Sequence, residues 1–306
     1  MKSKQSPYQW AKNRIELLYR NVKELNDTGV TTAKLDVWSI KKLLALDYYV
    51  EPFVDIMHSK EFKEWYYIDP FCGSGLLRIK KHLFPGSPLV ALFHTDNKPF
   101  SKYYLSDENA KYTYELKARI ERILKSKNMK VQIENKKFSY MVEELFSGSR
   151  PSHWKDIGYL AFLDPYGLDV DWKSMERILR SGPVDIIFTF MTWAIVWNRN
   201  NQLAEGSITR YFGDSNWKYL KTQDDFVNHY CNKIHQFGYQ NKYMTFTIDI
   251  TVEGGRRYDL ILATQSVGGA RVLNYLKDAV SCVTTQTIDD AFSVTVGDKT
   301  DLDSYM

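Results

Sequence analysis

Apolar positions recur along this chain in two rhythms. Between residues 7 and 25 they fall at Tyr8, Ala11, Ile15, Leu18, Val22 and Leu25, spacings of three and four that share one helical face. Pro7 suits the first turn, and Asn26-Asp27-Thr28-Gly29 stops the helix. A second helix is predicted over residues 32–46, with Leu35, Trp38, Leu43 and Leu46, and a shorter amphipathic piece over 52–58. From residue 65 the rhythm changes to short apolar runs that end in polar or turn residues. Strands are predicted at 65–69, 102–108, 131–133, 159–164 and 184–190, with a further pair at 243–252 and 257–264 around the turn Glu253-Gly254-Gly255. Helices are predicted at 114–125, 172–179, 226–237 and 272–280. Residues 76–83 suit a short helix broken by Pro85-Gly86-Ser87-Pro88, and 89–93 fit either element. The apolar stretch to Trp197 reads as a strand and the loop after it. Residues 198–220 are polar and read as a substrate-side insertion or loop, and the last twenty residues carry little signal.

Alternating strands and helices imply an α/β fold, a parallel sheet with helices on both faces. The division predicted is an N-terminal helical extension over residues 1–64 and the α/β domain over 65–306. Docking of the first helix on the body is favoured over covering a substrate or pairing with a second copy. At 306 residues the chain can bury a full core. In such folds the loops at the carboxyl ends of the strands gather into one ligand site. Four predicted strands run there into Asp69, Asp107, Asp164 and Thr192.

Charge and cysteine usage narrow the classes. Against 37 acidic residues stand 41 Lys and Arg, a net +4 that permits nucleic acid without demanding it. The pairs Lys41-Lys42, Lys80-Lys81, Lys136-Lys137 and Arg256-Arg257 are scattered and read as solvated surface. Cys72, Cys231 and Cys282 lie far apart, and neither they nor the histidines show metal spacing. No metal is expected, and a reducing cytoplasm fits. No signal core follows Met1, and the apolar run from Val184 falls short of the ~20 residues that cross a bilayer. No membrane association is expected.

The chemistry concentrates in Tyr67-Ile68-Asp69-Pro70-Phe71-Cys72-Gly73-Ser74-Gly75. Glycines after a strand let backbone approach a ligand or take positive φ. Arg78 stands where a dinucleotide fingerprint needs its third glycine, and no Gly-Lys-Ser/Thr follows. Asp-x-Phe-x-Gly-x-Gly instead resembles the first motif of S-adenosylmethionine (SAM)-dependent methyltransferases, in the spelling found among nucleic-acid enzymes. The resemblance implies a Rossmann-like class I methyltransferase sheet. Asp69, Phe71, Gly73 and Gly75 would cradle the amino-acid end of SAM, Asp69 meeting the ammonium directly or through water. Asp107 or Glu108 would accept the ribose hydroxyls, with Asp96 as rival acid.

The second cluster is Asp164-Pro165-Tyr166-Gly167. In amino-group methyltransferases this place holds a polar residue and proline carbonyls that accept from the target amine, and an aromatic that stacks on the base. Asp164, Pro165 and Tyr166 are the catalytic candidates, although the second proline is absent and Tyr166 sits one place early. A cytosine-C5 mechanism needs a cysteine near this strand, and none of the three is there. Trp172, Trp193, Trp197 and Tyr211 read equally as a base-stacking rim or as core.

Several segments together resemble the three-Cys-motif partner protein (TcmP) family: Thr32-Ala33-Lys34-Leu35, the glycine motif, Gly86-Ser87-Pro88-Leu89, Tyr103-Tyr104-Leu105-Ser106-Asp107, Phe162-Leu163-Asp164-Pro165-Tyr166-Gly167-Leu168, and Tyr211-Phe212-Gly213 followed by Trp217. The resemblance implies SAM as cofactor, a possible partner bearing three cysteines, and Asp107 over Asp96. Lys136-Lys137 departs from the Gly-Asp such proteins place near the adenine; Ser139 or a backbone carbonyl would have to substitute. The expected function is methyl transfer to a base amino nitrogen of nucleic acid. The alternatives are a methyltransferase-like binding module within a complex and a methyltransferase for protein or small molecules.

Overall fold

A computed structural model of the chain describes residues 6–23, 31–34, 37–79, 82–94, 99–124, 129–146, 156–238, 242–251 and 255–302. The stop at Asn26-Asp27-Thr28-Gly29, Leu25, Leu35, Lys80-Lys81, Asp96 and the turn residues Glu253-Gly254 lie outside them.

Helix α1 (Pro7–Lys23) buries Ala11, Ile15, Leu18 and Val22, the face its spacing predicts. Strand β1 (Thr32–Lys34) comes next, and then one long helix, α2 (Val37–Ser59). Two corrections fall here. Residues 32–34 are a strand, and the predicted pieces at 32–46 and 52–58 are a single helix running through Pro52. A proline inside a helix removes one backbone hydrogen bond. Burial of Leu43, Leu46, Tyr49, Val50, Phe53 and Val54 around it offsets that loss. A half-buried bidentate ion pair, Arg14 to Asp47 at 2.6 and 2.5 Å, ties α1 to α2.

Strand β2 (Glu64–Asp69) opens the core sheet. The helix predicted at 76–83 is absent. In its place β3 (Leu76–Ile79) and β4 (His82–Pro85) form an antiparallel hairpin, and β1 pairs parallel with β3. Its apolar residues fit either period; what selects a strand is the distant partner β1, invisible in a local window. Helix α3 (Ser87–His94), β5 (Lys102–Asp107), α4 (Ala110–Leu124), β6 (Val131–Asn135), α5 (Phe138–Phe146) and β7 (Ile157–Leu163) follow. Then come α6 (Trp172–Arg180), β8 (Val184–Phe190) and α7 (Thr192–Asn198). The segment read as a loop is largely helical. After α7 it contains a 3-10 turn at Gln202–Ala204, α8 (Glu205–Phe212) and another 3-10 turn at Asn216–Tyr219. Buried Ile208, Tyr211 and Phe212 give α8 its inner face, and left-handed Gly213 ends it. The chain closes with α9 (Gln223–Ile234), β9 (Met244–Thr251), β10 (Arg257–Thr264), α10 (Val267–Ser281) and α11 (Thr285–Leu302).

Seven strands form the main sheet in the order β6-β5-β2-β7-β8-β10-β9. Of these seven, β10 runs against the others. Alternate residues face opposite layers. Leu160 and Phe162 join the core under α2, α3, α4 and α10; Tyr159, Ala161 and Leu163 join that under α5, α6, α8 and α9. This is a Rossmann-like α/β fold with helices on both faces. Helix α1 packs on α11, α10 and β4. Among the described residues no helix is long and apolar enough to cross a membrane.

Candidate active site

The carboxyl ends of β2, β5, β6, β7 and β8 share one edge of the sheet. The first residues of antiparallel β10 lie there too, since Asp259 pairs with Phe190. At the end of β2 the chain turns sharply. Gly73 and Gly75 hold φ of 57° and 79°. A Cβ at Gly75 would stand 2.6 Å from Leu116 Cδ1 and 3.5 Å from Leu89 Cγ, so the turn is wedged against α4 and α3. The Gly86 N–H donates to the Gly75 carbonyl at 2.7 Å. That contact closes the neck of the β3–β4 hairpin and starts α3 beside the glycine turn. Fully buried Arg119 of α4 donates to the Ser74 carbonyl at 2.6 Å, and the Cys72 N–H to the Ser106 carbonyl at 3.0 Å.

Asp69 lies beneath this turn, 0% exposed. It accepts from Tyr67 Oη at 3.1 Å, the Phe71 N–H at 3.2 Å and the Ser87 hydroxyl. Burial pushes its carboxyl up to about 7 against the pull of these donors. As placed, Asp69 shapes the turn from within. Phe71 stacks on Phe138 of α5, with centroids 5.6 Å apart. The Cys72 thiol is buried, and desolvation beside Asp69 and Asp107 raises it well above its ordinary value, which suits packing rather than nucleophilic chemistry.

Asp107, ending β5, reaches the same turn. Its Oδ2 accepts the Gly73 N–H at 3.0 Å and its Oδ1 the Asn109 N–H at 2.8 Å. Burial raises this carboxyl, and the two backbone donors oppose the rise. Asn135, ending β6, donates to the carbonyls of Asp107 and Glu108 at 2.9 Å each. A groove of about 620 Å³ opens beside them, lined by Glu108, Asn135, Lys136, Lys137, Tyr140 and Glu144 among others. The Lys136 ammonium is held by Glu134 at 2.8 Å and by Glu144.

Asp164, ending β7, meets a partner the sequence reading missed. Lys42 of α2 donates to both its oxygens, at 2.5 and 2.6 Å. The lysine side chain is 5% exposed and the aspartate 25%. Lys42 also stands 3.7 Å from the ring centroid of Trp38, which stacks on Tyr258 of β10 at 4.5 Å. Burial lowers the Lys42 ammonium, the aspartate opposing. Lys42 is therefore no solvated surface residue, a correction to the reading of Lys41-Lys42. Pro165 is buried, and Tyr166 is 94% exposed.

The four aromatics of the expected rim divide. Trp172 and Tyr211 are core. Trp193 and Trp197 stack on each other on α7, and Trp197 is exposed. The reading of Arg256-Arg257 as solvated surface fails for Arg257, which pairs with Asp259 and Asp224; Arg256 is exposed and lies over Trp193. Nothing local marks Lys42, Arg119 or Arg256. Asn135 carries a faint signal, as the polar residue that ends an apolar run at the ligand edge.

Comparison with known proteins bears on the fold. No family model matches the sequence, and no curated protein does. Protein LPL1258 from Legionella pneumophila str. Philadelphia 1 is similar in structure, with a TM-score of 0.50 at 10% identity over 79% of this chain and 92% of that one. Trm1 from Pyrococcus horikoshii, in complex with S-adenosyl-L-methionine, gives a TM-score of 0.42 at 10% identity over 76% of this chain. The match spans 58% of the Trm1 chain. The O-methyltransferase TomG from Streptomyces achromogenes, in complex with SAM, gives 0.39 at 8% identity, covering 84% of this chain and 90% of that one.

Proposed function

We infer that the protein is a SAM-dependent methyltransferase whose target is a base amino nitrogen of nucleic acid. The observation that carries this reading is the bond from the Gly73 N–H to Asp107. It joins the glycine turn and the acid of the next strand into one cradle at the ligand edge of the sheet. The residues fit the cofactor. A carboxylate has about four acceptor positions, and Asp107 has one backbone donor on each oxygen, so two positions remain for a vicinal diol. Glu108 faces the adjoining groove, whose volume is within the ~300–1,000 Å³ common for small-molecule sites. The Lys136 ammonium is paired with Glu134 and Glu144, and Glu144 lines the same groove, so a carboxylate acceptor stands near where Lys136-Lys137 offers none.

Bound in that cradle, SAM supplies an electrophilic methyl group on a sulfonium cation. The chain's own residues orient the acceptor. Asp164, fixed by Lys42, keeps unused lone pairs that accept hydrogen bonds from an exocyclic amine, and the Pro165 carbonyl is a second acceptor. Tyr166, free in solvent, is available to stack on the base. Positioning is the main source of rate in such a transfer. The likeness to the TcmP family adds a possible partner with three cysteines to this reading, and the unpaired cysteines add a reducing, cytoplasmic setting.

The test is calorimetry of SAM with wild type and Gly73→Arg, followed by incubation with methyl-labelled SAM and separate DNA, RNA and protein pools. Binding lost in the variant, and label in a nucleic-acid pool, are expected. Equal SAM affinity in both proteins would overturn the cofactor assignment. Label in the protein pool alone would move the substrate to another class, and strand binding without SAM binding would leave a binding module.

A further inference from the structure

We propose that Trp193 and Trp197 form a stacking platform for an unpaired base of single-stranded nucleic acid, next to the acceptor site at Asp164. This deepens the methyltransferase reading by naming the form of its substrate, and rests on that reading only for the reaction.

Helix α7 leaves the end of β8, the strand beside β7, so the platform and Asp164 emerge from neighbouring strands. The first turn of α7 is anchored. Thr192 donates to Asp259, and Arg257 clamps that carboxylate at 2.7 Å while also pairing with Asp224 of α9. Thr192 and Ile195 face the core. Residues four apart share a helix face, which sets Trp193 and Trp197 together outside. Their rings stack with centroids 5.5 Å apart and planes 25° from parallel. The Arg256 guanidinium lies 5.0 Å from the Trp193 centroid. Trp193 thus contacts both a cation and a second indole, and Trp197 is left 72% exposed.

Tryptophan is seldom so open on a soluble surface. Here the ring is exposed and yet pre-stacked, so a ligand landing on it orders little that is not already ordered. The occupant follows from the charges. Among the described residues neither Arg256 nor Arg199 pairs with a carboxylate; Arg199 donates to the Lys221 carbonyl at 3.1 Å. Arg256, an uncompensated cation over an indole face, complements a phosphate backbone with a base turned out of it. In a duplex, base faces are covered by their neighbours, so the platform selects a single strand or an extruded nucleotide.

The test measures fluorescence anisotropy of the full chain with a short fluorescein-labelled single-stranded RNA, its DNA counterpart and the annealed duplex. Trp197→Ala is expected to weaken single-strand binding about tenfold and duplex binding little, with Trp197→Phe restoring most of the loss. Arg256→Gln is expected to flatten the salt dependence. SAM affinity by calorimetry should stay within about twofold of wild type throughout. Wild-type strand affinity in Trp197→Ala, an equal loss on duplex, or no strand binding by wild type overturns the platform. So does a dimer that Trp197→Ala converts to monomer while strands bind unchanged. A Trp197-dependent strand site in a protein that binds no SAM would instead sink the methyltransferase reading and leave the platform standing.

Discussion

The two halves of the ligand edge are built differently. Around β2, β5 and β6, the cradle is held by neighbouring loops of the sheet and the helices that follow them: Asp107 to Gly73, Asn135 to Asp107 and Glu108, Arg119 to Ser74. Around β7, β8 and β10, the polar groups are held by residues remote in sequence: Lys42 on Asp164, Trp38 on Tyr258, Arg256 on Trp193. A cofactor is the same in every turnover, so a self-contained and tightly wedged cradle suits it. If β7, β8 and β10 face the acceptor as proposed, the groups that would define the substrate depend on residues remote in sequence.

Breaking the remote half has the largest expected effect. Asp164→Ala strands a nearly buried ammonium at Lys42 and should destabilise by ~3 kcal/mol or more in denaturant unfolding. Lys42→Met should cost less, because Asp164 keeps access to water. The double variant should recover much of the loss. Burial already lowers the Lys42 ammonium, and loss of its partner lowers it further. Between the folded value and the ordinary lysine value the unfolded chain binds the extra proton, so the stability of Asp164→Ala should rise with pH across that alkaline window. A pH-independent deficit would show that the ammonium had escaped to solvent.

The cofactor half should break at Gly75. Alanine there must adopt φ near 79° and displace Leu116, for about 2 kcal/mol of stability and a matching loss of SAM affinity. Gly167→Ala, in the acceptor loop, is the control. Its Cβ would meet nothing within 4 Å, and unfolding should shift by less than ~0.5 kcal/mol. Equal effects at the two glycines would erase the contrast between a wedged turn and an open one.

The same contrast decides what is legible in the sequence. The glycine turn and the acid beside it are legible because their grammar is local: seven consecutive residues from Asp69 to Gly75, and an acid at the end of the next strand. Lys42 sits 122 positions from Asp164, and no window contains both. The hairpin at 76–85 was missed because its apolar residues satisfy two periods and only β1 chooses between them. Trp172 and Trp197 are chemically the same residue. Their fates differ because one is buried against Tyr230 of α9 while the other rides on the outside of α7.

Asp69 permits a finer probe of the cradle. Its carboxyl is pushed up to about 7, against an ordinary value near 4. Below both values the folded and unfolded chains bind the proton alike. As pH rises through the ordinary value the unfolded chain releases it first, so the folded state loses ground, by up to ~1.4 kcal/mol per unit, until pH passes 7. Asp69→Asn should remove that decline. The difference in stability between wild type and variant, measured by denaturant unfolding from pH 4 to 8, should move toward the variant and then level off. A constant difference would mean that Asp69 titrates alike in the folded and unfolded chains and so reaches water or a cation.

The smallest effect on stability should come from Tyr166, and its value lies in that smallness. With 94% of the residue in solvent, Tyr166→Ala removes almost no packing, and unfolding should stay within ~0.5 kcal/mol of wild type. SAM affinity should not move, because the cradle makes no use of this ring. If the ring stacks on the acceptor base, kcat/KM for methyl transfer should nonetheless fall about tenfold, and Tyr166→Phe should restore it, since stacking needs the π-face and not the hydroxyl. Restoration by Phe separates stacking from a role for the phenol as hydrogen-bond donor, which Phe would not rescue. Full activity in Tyr166→Ala would leave Asp164 and Pro165 to orient the amine alone, and would shift recognition of the base onto the indoles of α7.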